Sequence, residues 1–438
     1  MGQAAAFETA LEARVEEILD RCTRCGACVE ACPMPGPAGL DVGDPKAVVG
    51  GVLDLLTGGP GTPTAERWAA ICSGSGNCIP ACQDGVNPRL MLALARLAVS
   101  KRATPDARRR AGHAGFTQMT RGVRVLSRLQ LSPELLARFG PEAAPASDAP
   151  PELVFYTGCN LLKTPHIALL CLDVLDALKV DYRVTGGPGS CCGVLQMRGG
   201  DLAASGRIAY RTIDRFGGTR TGKVLSWCPT CQVQLGETVL PGKRAQDATD
   251  TELEPLVLYL ERRLDDLRRL MVHSVAKRVA LHDHPGIAGV GAAVRRILEA
   301  IPGLEFVDLE QTPVGYMCNT LRPVPAFKRT LHQSLLEAAA AAQVTTLAGI
   351  YHACHRELCA HERDWPFEVV NFMELIGAAM GLHRPDIFKR LKMLQDVDAV
   401  IADAQDLIDA HGLDLEEVRS VILEDMLGEQ PLPLGGGA

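Results

Sequence analysis

The residues best equipped for chemistry in this chain are its cysteines, and they come in spaced runs. The first run reads Cys22-Thr-Arg-Cys25-Gly-Ala-Cys28-Val-Glu-Ala-Cys32-Pro33, a C-x2-C-x2-C-x3-C-P spacing. Three thiolates in one tight loop can cap three irons of a four-iron cube; the fourth is carried off toward another cluster, and the proline turns the chain out. Zinc prefers pairs of cysteines, so the triplet favours iron–sulfur ligation. The second run reads Cys72-Ser-Gly-Ser75-Gly-Asn-Cys78-Ile-Pro-Ala-Cys82; it keeps the register but has Ser75 where the second cysteine belongs. A third group comprises Gly158-Cys159, Cys191-Cys192-Gly193 and Cys228-Pro-Thr-Cys231. Its five thiols exceed what one cube or one zinc ion takes. Vicinal cysteines cannot both ligate one iron comfortably, but they can bridge neighbouring irons. A zinc site at Cys228 and Cys231 with incidental neighbours is the plainer alternative.

Sixteen cysteines in 438 residues, with no basic start and apolar run at the N-terminus, do not read as a secreted disulfide framework. The thiols therefore point to a reducing, cytoplasmic setting. A net charge of −7 and only 4% aromatic residues argue against a nucleic-acid partner. The apolar segment Ile167 to Leu178 is broken by Asp173 and Asp176, and no apolar run reaches the length of a membrane span. Membrane association would have to come through another protein of a complex.

The elements that must position these cysteines form an α+β multidomain chain. Residues 1–125 read as an α-helical unit, with helices at Phe7–Asp20, Lys46–Leu56 and Pro88–Arg102 around the two cysteine loops. Residues 126–151 read as a linker, rich in Pro, Ala and Ser from Pro141 to Pro151. Strands at 153–156, 181–184 and 224–227 alternate with helices at 165–178 and 202–216. The pattern restarts with strands at 278–281, 305–308 and 345–351 and helices at 291–300 and 326–342. These two αβ units, 152–265 and 275–382, lie about 120 residues apart and read as an internal repeat with sites at the C-terminal strand ends. Residues 383–438 read as a helical tail, with Pro431–Ala438 disordered. Cys171 falls on an apolar helix face and reads as core. Gly186-Gly-Pro-Gly189 is not followed by the Lys-Ser/Thr of a phosphate loop and reads as a close backbone approach to the cysteine site, on an open side.

The first two runs resemble those of bacterial ferredoxins. Crossed ligation as in that family gives one [4Fe-4S] cluster to Cys22, Cys25, Cys28 and Cys82. The other receives Cys32, Cys72 and Cys78, as a [3Fe-4S] cluster or a second [4Fe-4S] cluster capped by Ser75 or water. The third group resembles the CCG domain of the heterodisulfide reductase family. With the ferredoxin-like module in front, residues 10–380 are similar to the D-type member of that family, equivalent to its C-type and B-type members fused, with DsrK-like relatives. The resemblance implies a non-cubane [4Fe-4S] cluster held by Cys159, Cys191, Cys192, Cys228 and Cys231, acting on disulfides. The second αβ unit departs from the pattern: His284 and Pro285 stand near the first cysteine position after His282-Asp283. The pair becomes Cys318-Asn319, and Tyr351-His-Ala-Cys354-His355-Arg-Glu-Leu358 matches Cys228 to Leu235 with Tyr351 in place of a cysteine. Cys318, Cys354, Cys359, His352 and His355 are candidates for a mixed metal site or a substrate pocket, against a degenerate repeat kept for its fold.

Together these readings describe an oxidoreductase component for sulfur-group redox chemistry. Without a Rossmann fingerprint, flavin site or haem Cys-x-x-Cys-His motif, its electrons come from or go to other redox subunits, a flavoprotein or a membrane quinone/cytochrome protein. Similar layouts occur in iron–sulfur subunits of glycolate, lactate and glycerol-3-phosphate oxidation. The alternative is therefore a relay in a flavin-dependent complex of that kind. A zinc-bound scaffold is the non-redox alternative.

Overall fold

The computed structural model describes residues 2–140, 149–247 and 249–435. Two four-stranded, fully parallel sheets organise the chain: β1 (Leu153–Gly158), β2 (Tyr182–Gly186), β3 (Lys223–Ser226) and β4 (Glu252–Pro255), then β5 (Arg278–His282), β6 (Glu305–Val307), β7 (Thr346–Gly349) and β8 (Glu368–Asn371). Their strand orders, β2-β1-β3-β4 and β6-β5-β7-β8, are the same topology twice, as the internal repeat requires. Every residue of β1 and of β7 is buried. That is the environment of a parallel strand covered on both faces, and it explains why these strands read as continuous apolar runs. β4 and β8 are not expected from sequence. They are short sheet edges, and Glu252 and Glu254 give β4 none of the apolar continuity of β1.

The N-terminal helices do not stand apart as a 1–125 unit. Helix Gln3–Arg21 lies on helix Leu202–Asp214 of the first repeat, and a Cβ at Gly206 would come 2.6 Å from Phe7 Cβ. Phe7 meets Tyr210 edge-on, with ring centroids 5.8 Å apart. One apolar cluster contains Val29, Trp68 and Leu90 of the cysteine-loop module together with Tyr156, Val224 and Cys228 of the first repeat. The cysteine sets are therefore held by a shared core.

The linker boundary also differs. Helix Pro105–Arg128 runs through position 126, and Leu126 is fully buried. Ser132 caps a further turn, Pro133–Ala137, through the Leu135 N–H. Of the Pro141–Pro151 stretch, 141–148 lie outside the described residues. Residues 383–435 are packed rather than a loose tail. Val418, Val421, Ile422 and Met426 close over Val125, Leu126 and Leu129, and a buried Lys163–Asp425 ion pair of 2.7 Å ties this layer to the first repeat. The expected disorder of Pro431–Ala438 does not extend over its described part. Leu432 packs against a core cluster and the Gly435 N–H donates to Asp364 Oδ2 at 2.7 Å; 436–438 lie outside the described residues. Among the described residues no helix is long and apolar enough to cross a membrane.

Candidate iron–sulfur centres

The first cysteine loop leaves helix Gln3–Arg21 at Cys22 and turns through two left-handed residues, Arg24 (φ 60°) and Gly26 (φ 88°). A Cβ at Gly26 would stand 2.8 Å from Pro45 Cβ, so glycine lets the loop press against the next helix. Thr23 Oγ1 donates to Asp84 Oδ2 at 2.7 Å, which draws the loop to the chain just after Cys82. Burial pushes the Cys28 thiol up to about 12, reinforced by the neighbouring sulfurs of Cys22, Cys25 and Cys82. Burial does the same to Cys78, also to about 12, reinforced by the sulfurs of Cys72, Cys32 and Cys28. Cys82 of the second run thus adjoins the first-run sulfurs, and Cys32 of the first run adjoins Cys72 and Cys78. Ser75, at the missing-cysteine position, also has a structural contact: its Oγ accepts the Gly315 N–H at 2.7 Å and lies 3.1 Å from Ser73 Oγ.

The five cysteines of the first repeat meet at the C-terminal ends of β1, β2 and β3. Cys159 follows β1 directly. Cys191 and Cys192 follow the turn Pro188–Ser190 after β2, and Cys228 and Cys231 follow β3. Gly158, at φ 67°, is required there, since a Cβ would lie 3.1 Å from Cys231 Sγ. Beyond Cys231 the chain winds as a π-helix, Gln232–Val239, a form concentrated at functional sites. The sulfurs form an arc: Cys159 meets Cys191, which adjoins Cys192, which meets Cys231, which meets Cys228. Contact with the Cys159 and Cys192 thiols and with the Gly193 N–H holds Cys191 well below its ordinary pKa. The Cys191 contact and burial push Cys159 well above its own. Five buried thiols cannot all ionise without a compensating polycation. Among the described residues, the His/Cys/Asp/Glu sets whose ligand atoms close to within 4.8 Å of one another do not include this arc. Five sulfurs spread in this way fit a multi-iron cluster and do not fit a single tetrahedral ion.

Comparison with known proteins agrees. Residues 153–236 match the cysteine-rich CCG domain family, and residues 13–34 match a 4Fe-4S binding domain family. The chain is 24% identical over 399 residues to the D component of the dihydromethanophenazine:CoB–CoM heterodisulfide reductase of Methanosarcina acetivorans, covering 83% of this chain and 94% of that one. It is 23% identical over 411 residues to the same component from Methanosarcina mazei, with the same coverage. Over 187 residues it is 29% identical to the B component of the fumarate reductase (CoM/CoB) of Methanothermobacter marburgensis, 41% of this chain and 35% of that one. The chain carries a CCG domain and a 4Fe-4S binding segment, and over most of its length it is similar to the D component of heterodisulfide reductases. No solved structure matches it.

Of the stretch expected to lie on an open side, Gly186, Gly187 and Pro188 are half-buried, Gly189 is exposed and Ser190 is buried. A Cβ at Gly186 would come 1.8 Å from Thr157 Oγ1, so that glycine serves the contact between β2 and β1. The Ser190 carbonyl accepts the Tyr156 hydroxyl at 2.8 Å. A cleft of about 320 Å³ opens on another face, between the cysteine-loop module and both repeats. Cys72, Arg198, Thr230, Gln234, Tyr316 and Arg322 line it. Cys171 is fully buried in the core, as its helix face suggests.

In the second repeat the structure redistributes the candidate ligands. Cys318 and Cys354 come together, but His352, His355 and Cys359 do not join them. His355 Nε2 is 2.6 Å from Asp386 Oδ2. His352 is buried with both ring nitrogens unpartnered, and burial pushes it down to about 3. Cys359 packs against the C-terminal helices. The partners missed from sequence are His282 and His284, whose Nε2 atoms lie 3.0 Å from Cys318 Sγ and 3.1 Å from Cys354 Sγ. Strand pairing supplies the signal that could have found them. Val154 pairs with Val224, and Ala280 with Leu347. Counting from those positions, His282 stands where the first repeat has Tyr156, and Tyr156 Oη is 3.7 Å from Cys231 Sγ.

Proposed function

We propose that this chain is the cytoplasmic iron–sulfur component of a heterodisulfide reductase-like complex, and that its five-cysteine site exchanges electrons with a disulfide or thiol sulfur compound. Cys22, Cys25, Cys28 and Cys82 would hold one ferredoxin-type cluster. Cys32, Cys72 and Cys78 would hold a second, three-iron cluster, and Cys159, Cys191, Cys192, Cys228 and Cys231 a non-cubane four-iron cluster. When bound, these groups supply one-electron redox chemistry near one another, and a partner redox protein supplies or takes the electrons.

The observation that carries the reading is the buried five-sulfur arc beside a cleft that also reaches Cys72. A relay cube needs four thiolates; the fifth is unexplained unless the site does more than pass charge. The residues of the chain prepare that site in definite ways. Thr230, between Cys228 and Cys231, lines the cleft, so a sulfur substrate held there sits next to the arc. Arg198, held by a 3.0 Å bond to Tyr316 Oη, and the exposed Arg322 give the cleft a positive wall suited to an anionic thiol. Burial raises the Tyr156 hydroxyl well above its ordinary range, reinforced by the Cys231 and Cys192 sulfurs, so it stays protonated beside the arc.

The test uses anaerobically purified protein and electron paramagnetic resonance. Added thiol or disulfide is expected to change one cluster signal only. Cys192→Ser abolishes that response, whereas Cys25→Ser leaves it intact. If no signal responds to thiols, or if Cys192→Ser keeps full disulfide turnover, the site is a relay.

A further inference from the structure

At the position in the second repeat that corresponds to the five-sulfur arc, four side chains, two imidazoles and two thiols, close on one point. His282 ends β5, and His284 follows two residues on. Cys318 opens the turn Cys318–Leu321, and Cys354 lies in the first turn of helix His352–Leu358. Their ligand atoms all lie within 4.8 Å of one another, and all four residues are buried. His282 Nε2 is 3.0 Å from Cys318 Sγ; His284 Nε2 is 3.1 Å from Cys354 Sγ and 3.6 Å from Cys318 Sγ. A tetrahedral zinc ion, with bonds of about 2.0–2.1 Å to nitrogen and about 2.3 Å to sulfur, sets nitrogen–sulfur edges of about 3.5 Å. We propose that His282, His284, Cys318 and Cys354 bind a single divalent metal ion of the zinc class, and that the second repeat has exchanged a cluster site for a mononuclear one.

Several features fit that ion and no other obvious occupant. Two thiolates and two neutral imidazoles around a divalent cation sum to zero charge, which a buried site demands. Two thiolates are too few for a cluster of the CCG kind, whereas a mixed nitrogen–sulfur tetrahedron is a structural zinc set. His284 Nδ1 is 2.7 Å from the Val314 carbonyl, and a proton there leaves Nε2 as the ligating atom. The Cys318 N–H points at Cys354 Sγ from 3.5 Å, as amides commonly do toward metal-bound sulfur. Cys318 also falls within 4.8 Å of His332 and Glu357, but Lys328 Nζ already pairs with Glu357 at 2.6 Å, so that carboxylate is neutralised without an ion. A cavity of about 320 Å³ lined by His282, Asp283 and His284 gives the metal a route in.

The ion has a structural task. It would clamp the segment 282–286 to 314–318. The Gly286 N–H donates to the Gly315 carbonyl at 3.1 Å, and the Gly315 N–H reaches Ser75. Arg89 Nη1 donates to both Gly286 O, at 2.5 Å, and Gly74 O, at 2.8 Å. The clamped pair is thus the surface on which the second cysteine loop rests. Zinc does not change valence, so the second repeat orients the electron-carrying loop and takes no electrons itself.

Metal analysis and zinc-edge X-ray absorption on the full-length, anaerobically purified chain test this directly. We expect one zinc per chain with two sulfur and two nitrogen neighbours, in addition to the iron. Cys354→Ser loses the zinc with its iron content unchanged. Because that variant could fail to fold, His284→Cys is the companion: it keeps the zinc and shifts its shell to three sulfurs and one nitrogen. Zinc far below one per chain, a zinc shell of four sulfurs, or zinc retained in Cys354→Ser would each overturn the proposal. So would loss of iron rather than zinc in Cys354→Ser. None of these readouts depends on the redox role of the five-cysteine site.

Discussion

Ser75 Oγ accepts the Gly315 N–H across 2.7 Å, so the residue at the missing-cysteine position of the ferredoxin-like loop is a docking contact to the second repeat. Both partners are buried. An orphaned buried amide costs about 1–3 kcal/mol.

Ser75→Ala should therefore lower the unfolding free energy by about 1–3 kcal/mol, read from denaturant midpoints under anaerobic conditions. Ser75→Cys separates the two roles of the position. It should replace a three-iron resonance in the oxidised protein by a four-iron one, and lose stability as well, because a thiol is a poor acceptor for Gly315. A three-iron resonance unchanged in Ser75→Cys would show that position 75 does not face the cluster of Cys32, Cys72 and Cys78.

Gly158 supplies a sharper test of the five-cysteine site. At φ 67° any side chain is strained by about 1–2 kcal/mol, and a Cβ would press on Cys231 Sγ at 3.1 Å and on Cys228 Cβ at 3.3 Å. Gly158→Ala should reduce iron per chain by roughly the share of one cluster and leave the ferredoxin-type signals in place. Full iron content in this variant would mean that the end of β1 does not shape the site.

What can be read from the sequence is whatever is local. The two cysteine loops, β1 with its buried apolar run, and the restart of the αβ pattern at Arg278 are all carried by neighbouring residues. β4 and β8 escape because short edge strands carry little periodic signal. The second-repeat ligands escape for a geometric reason. His352, Cys354 and His355 are near neighbours in sequence, but successive helix positions point in different directions, so only Cys354 faces His284 while His355 faces Asp386. The true partners come from the end of a strand seventy residues earlier in the case of His284 and Cys354, a convergence that only the paired strands bring about. The C-terminal layer is illegible for the same reason. Its amphipathic helices read as a tail until the surface they cover, Val125 to Leu129, is known.

That layer is pinned by charge as well as by apolar contact. Lys163 and Asp425 pair at 2.7 Å with side chains 5% and 11% exposed. Removing one partner of a buried pair leaves the other charge uncompensated, at a cost of roughly 3–5 kcal/mol. Lys163→Met should accordingly destabilise the chain by that order and release the C-terminal helices first, visible as faster amide exchange over residues 415–427. Exchange unchanged there would mean that the apolar contacts alone hold the layer.

Glu429 gives the same layer a dependence on pH. Burial would raise its carboxyl, but the charges of Arg356 and Lys163 outweigh it and hold it at about 2. A carboxyl whose pKa is lower folded than unfolded adds stability above its unfolded value, near 4.5, and that stability is lost as pH falls toward 2. The shift corresponds to roughly 3 kcal/mol at neutral pH. Glu429→Gln should remove it, making the variant less stable than the parent at pH 7. The two should converge as the pH is lowered from about 4.5 toward 2. Thermal melts at closely spaced pH values, on the same cluster-loaded preparations, read the difference directly. A gap between parent and variant that stays constant over that window would show that Arg356 and Lys163 do not stabilise the ionised carboxylate.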